Sequence, residues 1–250
     1  MKAMVLAAGL GTRLRPLTDD RPKALVEVGG RTLLEITLSR LQTFEVREVI
    51  INVHHFADMV VDYLKANQDF GLRIEISREK TLLDTGGGLK KAAWFFLEES
   101  GAHDEPFILH NVDVVSTINL KSMMQFHREH RGLATLAVQD RKSSRYLLFD
   151  KHLQLSGRLS EQAQPAEFVQ TSEELHAQAL AFSGIHVISP RIFSMMTEDG
   201  TFSIIDSYLR LAAQGEKILA FRADTSYWRD LGRPESVAQA DQDLKNNVIS

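Results

Sequence analysis

The sequence contains no cysteine, which excludes disulfide bridges and cysteine-based zinc sites and fits a reducing compartment, the cytoplasm being the expected location. It also lacks a basic excess. With 29 Lys and Arg against 33 Asp and Glu, the formal charge is −4, so no global field draws the chain to a polyanion and no nucleic-acid partner is expected. No apolar run approaches the roughly 18 residues of a membrane span, so no membrane partner is expected. The run Met4-Val5-Leu6-Ala7-Ala8 is too brief for a signal peptide and passes into a basic loop from Arg13 to Arg15, so it reads as a buried strand. No internal repeat, low-complexity segment or compositional break marks a linker, and no hexapeptide-repeat tail is expected.

What is present is 250 residues with 44% hydrophobic content, enough for one α/β domain over 1–250. Short apolar runs alternate with amphipathic segments, the mark of βαβ units around a mostly parallel sheet. Strands are expected at Ala3 to Ala8, Glu48 to Val53, Leu72 to Ser77 and Pro106 to Asn111. Helical spacing covers Thr32 to Phe44 and Ala57 to Ala66, and Gly86 to Glu99 reads as one further helix. Beyond Asn119 the order is a helix to Arg131, strands at Leu133 to Val138 and Tyr146 to Phe149, and then a mixed region. There Ala181 to Ile188 and Ile218 to Phe221 read as strands, Ile204 to Ala213 and Pro234 to Lys245 as helices. Residues 151–178 are polar and aperiodic and read as a loop or lid-like insertion.

The strongest local signal is the segment from Leu6 through Ala8, Gly9, Gly11, Thr12 and Arg13 to Leu17, directly after the first strand. Glycines let the main chain turn and approach a ligand, and exposed N–H groups with Arg13 or Arg15 suit a triphosphate. A dinucleotide fingerprint would need glycine where Leu14 stands and a helix running on, which Pro16 and Pro22 oppose; GxxxxGK[ST] is absent. Further on, Thr85-Gly86-Gly87-Gly88 opens a helix, and three glycines would allow a flat nucleobase to lie against main chain, with Thr85 reading its edge; simple helix entry is the competing reading. His110-Asn111-Val112-Asp113 lies at the carboxyl end of a strand, where open α/β sheets bind ligands, and Asp113 is the first candidate metal ligand.

The segment LAAGLGTRLRPLTDDRPKALVEVGGRTLLE, residues 6–35, closely resembles the N-terminal signature of the sugar-1-phosphate nucleotidyltransferases, in which a G-x-G-T/S-R loop is followed by Pro-Lys. LLDTGGGL resembles that family's base-recognising motif, especially in members acting on muramate or mannose phosphates. The resemblance implies a three-layer, Rossmann-like (glycosyltransferase-A-like) α/β fold with a mixed central sheet. It also implies transfer of a nucleoside monophosphate from an NTP, UTP or GTP favoured, to a sugar 1-phosphate with release of pyrophosphate. Arg13 and Lys23 would neutralise the NTP phosphates. Leu6, Ala8, Gly9, Gly11, Thr12, Thr85, Gly86 and Asn111 would contact the nucleotide. Tyr227-Trp228-Arg229-Asp230-Leu231-Gly232-Arg233-Pro234 is similar to the family's Trp-x-Asp-x-Gly-x-Pro segment, which makes Asp230 the second ligand of an Mg2+ ion. Two carboxylates suit that ion, since it keeps water and phosphate oxygens for its remaining positions.

Phe182-Ser183-Gly184-Ile185-His186 is similar to the family's sugar-contacting strand, which implies acceptor contacts at Ser183 and Gly184. Two departures stand out. Val112 replaces the usual small residue before the aspartate, and no Glu-Lys-Pro triplet precedes the 182–186 strand, so the basic residue for the acceptor phosphate is open between Arg229 and Arg158. Two other readings stay open as well: a nucleotide-sugar sensor or regulatory subunit without turnover, and a nucleotidyltransferase for a non-sugar phosphate acceptor. Oligomeric state is not encoded in any motif. His54-His55 reads as loop, His127 to His130 as a solvated helix end, and Trp94 to Phe96 with Met123 and Met124 as core.

Overall fold

A computed structural model describes residues 1–97, 105–160, 163–169 and 177–246. In chain order the strands and helices begin with β1 (Lys2–Leu6), β2 (Glu27–Val28), β3 (Arg31–Thr32), α1 (Leu33–Thr43), β4 (Glu48–Val53), α2 (Ala57–Ala66) and β5 (Arg73–Arg78). There follow α3 (Asp84–Lys91), α4 (Ala93–Leu97), β6 (Phe107–Asn111), β7 (Val114–Ser116), α5 (Leu120–His130), β8 (Ala134–Gln139) and β9 (Arg145–Phe149). The last are β10 (Leu155–Ser160), β11 (Ala163–Phe168), β12 (Gln178–Ile188), α6 (Ile204–Ala213), β13 (Ile218–Arg222), β14 (Trp228–Asp230) and α7 (Pro234–Lys245).

Ten of the described strands build one sheet in the order β11-β10-β9-β12-β6-β1-β4-β5, with β8 joined to β12 and β13 to β8, and β2–β3 and β7–β14 form two small ribbons. Strands β6, β1, β4 and β5 run parallel, while β12 is antiparallel to β6, β8 and β9, so the sheet is mixed, as the resemblance implied. Alternation along β1 divides the core. Ala3 and Val5 face one side with Leu34, Leu38 and Leu41 of α1, Val60 and Leu64 of α2, Met123 of α5 and Val237 of α7. Met4 faces the other with Leu89 of α3, Phe95 of α4 and Tyr208 of α6. Helices cover both faces because these central strands are apolar on both, giving three layers. Among the described residues no helix is long and apolar enough to cross a membrane.

Several sequence expectations are corrected. The span read as one helix from Gly86 is two, broken at Ala92, and residues 98 and 99 lie outside the described residues. The break lets the consecutive Phe95 and Phe96 both pack inward, Phe96 stacking on Phe107 at 3.8 Å, while Trp94, expected in the core, stays 41% exposed. Within 151–178, read as a loop or lid, the chain forms β10 and β11, which extend the sheet from β9. Main-chain pairing holds this edge hairpin, so it needs no regular apolar alternation; residues 161, 162 and 170–176 lie outside the described residues. His127, read as solvated, is buried and bonded to Thr135 Oγ1 at 2.9 Å and Ser189 Oγ at 3.0 Å. Burial, reinforced by Arg191 and Arg128, pushes its pKa down to about 4.

Candidate nucleotide and metal site

The carboxyl ends of β1 and β6 lie side by side, Leu6 in register with Asn111. From this edge the glycine-rich loop departs. Its root is fixed: Ala7 N–H donates to Asn52 Oδ1 at 2.8 Å, Asn52 Nδ2 donates to Glu79 Oε1 at 2.7 Å, and Leu83 N–H donates to Glu79 Oε2 at 3.0 Å. The loop then opens to solvent, with Gly9, Thr12 and Arg13 exposed and Ala8 buried behind them. Gly11 takes a left-handed conformation, φ 64°, where a side chain would be strained, and its carbonyl accepts from Leu14 N–H and Thr18 Oγ1, both at 2.8 Å. A single 3-10 turn, Thr12–Leu14, follows in place of a helix, pinned by the fully buried Leu14. Exposed main chain and Arg13 are thereby held over the sheet edge.

Asp113 and Asp230 are brought together by a two-stranded ribbon that the sequence reading missed. β14 pairs with β7 antiparallel, Asp230 opposite Val114, and Leu231 N–H donates to the Asp113 carbonyl at 2.8 Å. Lys23 reaches across from the loop to form an ion pair with Asp113 Oδ2. Arg13 and Asp230 meet at Gly232, where an added Cβ would stand 2.6 Å from Asp230 Oδ1 and 3.0 Å from an Arg13 guanidinium nitrogen. The four charged residues therefore share one neighbourhood as two cation–carboxylate sets. Val112, the departure from the family pattern, has a negative φ and a side chain 3% exposed in the core. A β-branched residue fits there without strain.

No cluster of three or more His, Cys, Asp or Glu residues able to hold a metal occurs among the described residues. A closed all-protein cage is thus absent from them, whereas a pair of aspartates beside the glycine-rich loop fits the donor set of Mg2+, an ion that retains water and substrate oxygens.

The 182–186 stretch of β12 lies beside this ribbon. Gly184 has φ 74° and passes over Asn111 and Val114, a Cβ there lying 2.8 Å from Val114 Cγ2 and 3.0 Å from Asn111 Nδ2. The pairing of β12 with β8 is irregular between Phe182 and His186. Trp228 Nε1–H donates to the Ser183 carbonyl at 2.8 Å. Asn111 Oδ1 and Ser183 Oγ are buried without hydrogen-bond partners, an arrangement that leaves polar capacity unused beside the aspartates. His186 is buried against Tyr208 OH at 3.0 Å, its pKa pushed down to about 3 by burial and by His110.

Three placements differ from the sequence reading. Gly86, Gly87 and Gly88 are buried rather than laid open to a flat ligand. Gly86 N–H donates to the Phe202 carbonyl at 2.9 Å and Thr85 Oγ1 accepts from Ile204 N–H at 3.0 Å. Side chains on Gly86 and Gly87 would overlap the Phe202 ring and the Gly200 carbonyl, so these glycines serve close packing of α3. Arg229 lies next to Asp230 in sequence, but neighbours on a strand face opposite sides, and its guanidinium binds Asp243 Oδ2 at 2.8 Å on α7. Arg158 pairs with Asp206 of α6 at 2.5 Å. The residue not foreseen is Arg141, just beyond β8, whose guanidinium lies 3.5 Å from the centre of the Trp228 ring and donates to the Phe182 carbonyl at 2.8 Å. No motif flagged it. Asn52 had a weak signal, as a polar residue in the apolar run 49–53.

A nucleotidyl transferase family model matches residues 2–247. N-acetylmuramate alpha-1-phosphate uridylyltransferase of Caulobacter vibrioides is 35% identical, over 97% of this chain and 96% of that protein. Mannose-1-phosphate guanyltransferase of Aspergillus fumigatus is 30% identical over 94% of this chain, which spans 62% of that longer protein. The fold is similar to that of UDP-glucose pyrophosphorylase complexed with UDP-glucose, with TM-score 0.78 and 18% identity over 98% of both chains. It is also similar to HddC from Yersinia pseudotuberculosis complexed with GMP-PN, with TM-score 0.75 and 20% identity over 97% of this chain and 99% of that one. A family match along nearly the whole length, with a relative 35% identical over 97% of this chain, leads to one conclusion: the chain belongs to the nucleotidyl transferase family.

Proposed function

We propose that the protein transfers a nucleoside monophosphate from UTP or GTP to a sugar 1-phosphate, with Arg13, Lys23, Asp113 and Asp230 at the reacting centre. The observation that carries this reading is the β7–β14 ribbon, which sets Asp230 opposite Val114, the residue after Asp113, beside Lys23. The uridylyl- and guanylyltransferase relatives support the two donors, and their named substrates support a sugar 1-phosphate acceptor.

In this mechanism an oxygen of the acceptor phosphate attacks the α-phosphorus; that P–O bond forms as the bond to the β-phosphate oxygen breaks, and pyrophosphate leaves. The nucleophile is already anionic, so the protein's task is alignment and charge neutralisation rather than proton removal. Main-chain N–H groups around Gly9 to Arg13 would bind the β- and γ-phosphates, and Arg13 and Lys23 would offset the charge that grows on the departing pyrophosphate. Asp113 and Asp230 would hold Mg2+, which when bound neutralises phosphate oxygens and brings nucleophile and donor together. Gly184, without a side chain, lets its strand pack directly against Asn111 and Val114, and the main chain at Ser183 and Gly184 would meet the sugar. Pyrophosphate release measured across the four NTPs and a panel of sugar 1-phosphates with Mg2+ tests the proposal. Turnover is expected with UTP or GTP and one sugar phosphate. A panel with no turnover, in protein that still binds nucleotide, would favour the sensor reading instead.

A further inference from the structure

The cations around the aspartates are unevenly committed. Lys23 is paired with Asp113, and Arg13 lies beside Asp230. Arg229 and Arg158, the sequence candidates for the acceptor phosphate, are paired with Asp243 and Asp206. Arg141, like Arg13 and unlike the other three, stands outside these ion pairs. It forms no ion pair with an Asp or Glu among the described residues, and its Nε is buried with no hydrogen-bond partner. Only one of its nitrogens is engaged in a hydrogen bond there, Nη2 on the Phe182 carbonyl.

Its position is fixed from two sides. The guanidinium stacks on Trp228, whose indole N–H is tied to the Ser183 carbonyl, and the Phe182 carbonyl holds it at the irregular stretch of β12 that precedes Gly184. Trp228 and Asp230 are two residues apart on β14 and so share a face of the strand. Arg141 therefore stands on the same side as the Asp230 carboxylate, next to the strand assigned to the acceptor. Burial holds its guanidinium below the usual arginine range, and the Asp230 carboxylate draws it the other way. A stacked arginine with unused donors in its fork is well suited to a phosphate dianion, which accepts two parallel hydrogen bonds.

We infer that Arg141 binds the phosphate of the acceptor, filling the role left open by the missing Glu-Lys-Pro lysine. The inference rests on the proposed transferase reading. It supplies the positive charge that brings a second phosphorylated substrate to a site already facing a triphosphate, and it leaves Arg13 and Lys23 to the donor. Stacking on Trp228 fixes the fork before the acceptor arrives, so little side-chain freedom is lost on binding.

Steady-state kinetics of wild type, Arg141→Gln and Arg141→Lys, with donor and acceptor varied separately, test this. For Arg141→Gln the acceptor KM should rise by roughly ten- to hundredfold, the range for losing hydrogen bonds to a charged group, with the donor KM within about twofold by the same reckoning. Arg141→Lys should recover part of the loss. Inorganic phosphate, used as an inhibitor competitive with the acceptor, should weaken in parallel in Arg141→Gln. A purely structural arginine would move the melting temperature without this split between the two KM values. The inference is overturned by an unchanged acceptor KM in both variants, or by donor and acceptor KM rising together. If wild type turns over and the variants match it, this inference alone falls; if wild type turns over no pair, the transferase reading falls and takes the inference with it.

Discussion

Gly88 is the position at which a single methyl group should separate packing from ligand binding. It lies inside α3, where alanine is the better helix former by about 1 kcal/mol, so local propensity alone predicts that Gly88→Ala stabilises. The structure predicts the reverse. A Cβ at Gly88 would stand 2.8 Å from both Asn52 Nδ2 and Glu79 Oε1, atoms that are hydrogen-bonded to each other at 2.7 Å. Neither can swing aside cheaply, because Asn52 Oδ1 holds Ala7 N–H and Glu79 Oε2 holds Leu83 N–H. Overpacking of this kind costs about 1–3 kcal/mol, and weakening one buried hydrogen bond adds about 1 kcal/mol. After the propensity gain the net destabilisation is about 1–3 kcal/mol, a fall of roughly 2–12 °C in melting temperature for a domain of this size. Differential scanning fluorimetry reads it directly, with Gly9→Ala as control, since no heavy atom lies within 4 Å of a Cβ at Gly9. On the proposed reading the variant should also bind NTP more weakly, because the root of the glycine-rich loop hangs from Asn52. A Gly88→Ala protein that melts at or above wild type would refute this account.

Asp113→Asn and Asp230→Asn should each cut turnover by roughly a hundredfold or more while far-UV circular dichroism stays that of wild type, and chelation with EDTA should abolish turnover that added Mg2+ restores. Arg229→Ala should leave the acceptor KM unchanged and lower the melting temperature, because its partners are Asp243 and Tyr227 rather than substrate; a raised acceptor KM would contradict its placement. Acid stability should depend on His127, whose pKa falls from 6.5 to about 4 on folding. The unfolded chain then takes up this proton first as pH drops, so stability is lost between pH 6.5 and about 4 at up to about 1.4 kcal/mol per pH unit. Urea titrations across that window should show a shallower loss in His127→Gln, and an unchanged slope would count against the burial of this ring.

Local signals carried most of the fold. The glycines and prolines between Gly9 and Pro22 announced a loop that turns without becoming a helix, and the bounds of β4, α2, α6 and α7 follow from periodicity and from the proline opening α7. Legibility failed where an element depends on distant partners. β7 and β14 have three residues each, too few to show a period, and exist because they pair with each other. The polar strands β10 and β11 are held by main-chain bonds that leave little trace in hydropathy. The triple glycine was ambiguous for another reason: sequence shows that a side chain is missing, but not whether a ligand or Phe202 occupies the space. The choice between Arg229 and Arg158 stayed open because their partners, Asp243 and Asp206, lie on distant helices, and Arg141 was overlooked because its link to Trp228 spans 87 positions, a separation that no local pattern records.

The three-rung ribbon between Val114–Ser116 and Trp228–Asp230 has a bearing on biogenesis. A chain emerging from the ribosome can complete β1, β4, β5 and β6 and hold Asp113 long before Trp228 is synthesised. The opposing carboxylate arrives only when a late segment zips onto an early one. On the proposed reading, the two-carboxylate site would therefore wait on the pairing of β14 with β7, and a chain that had not yet made β14 would lack one of its two aspartates.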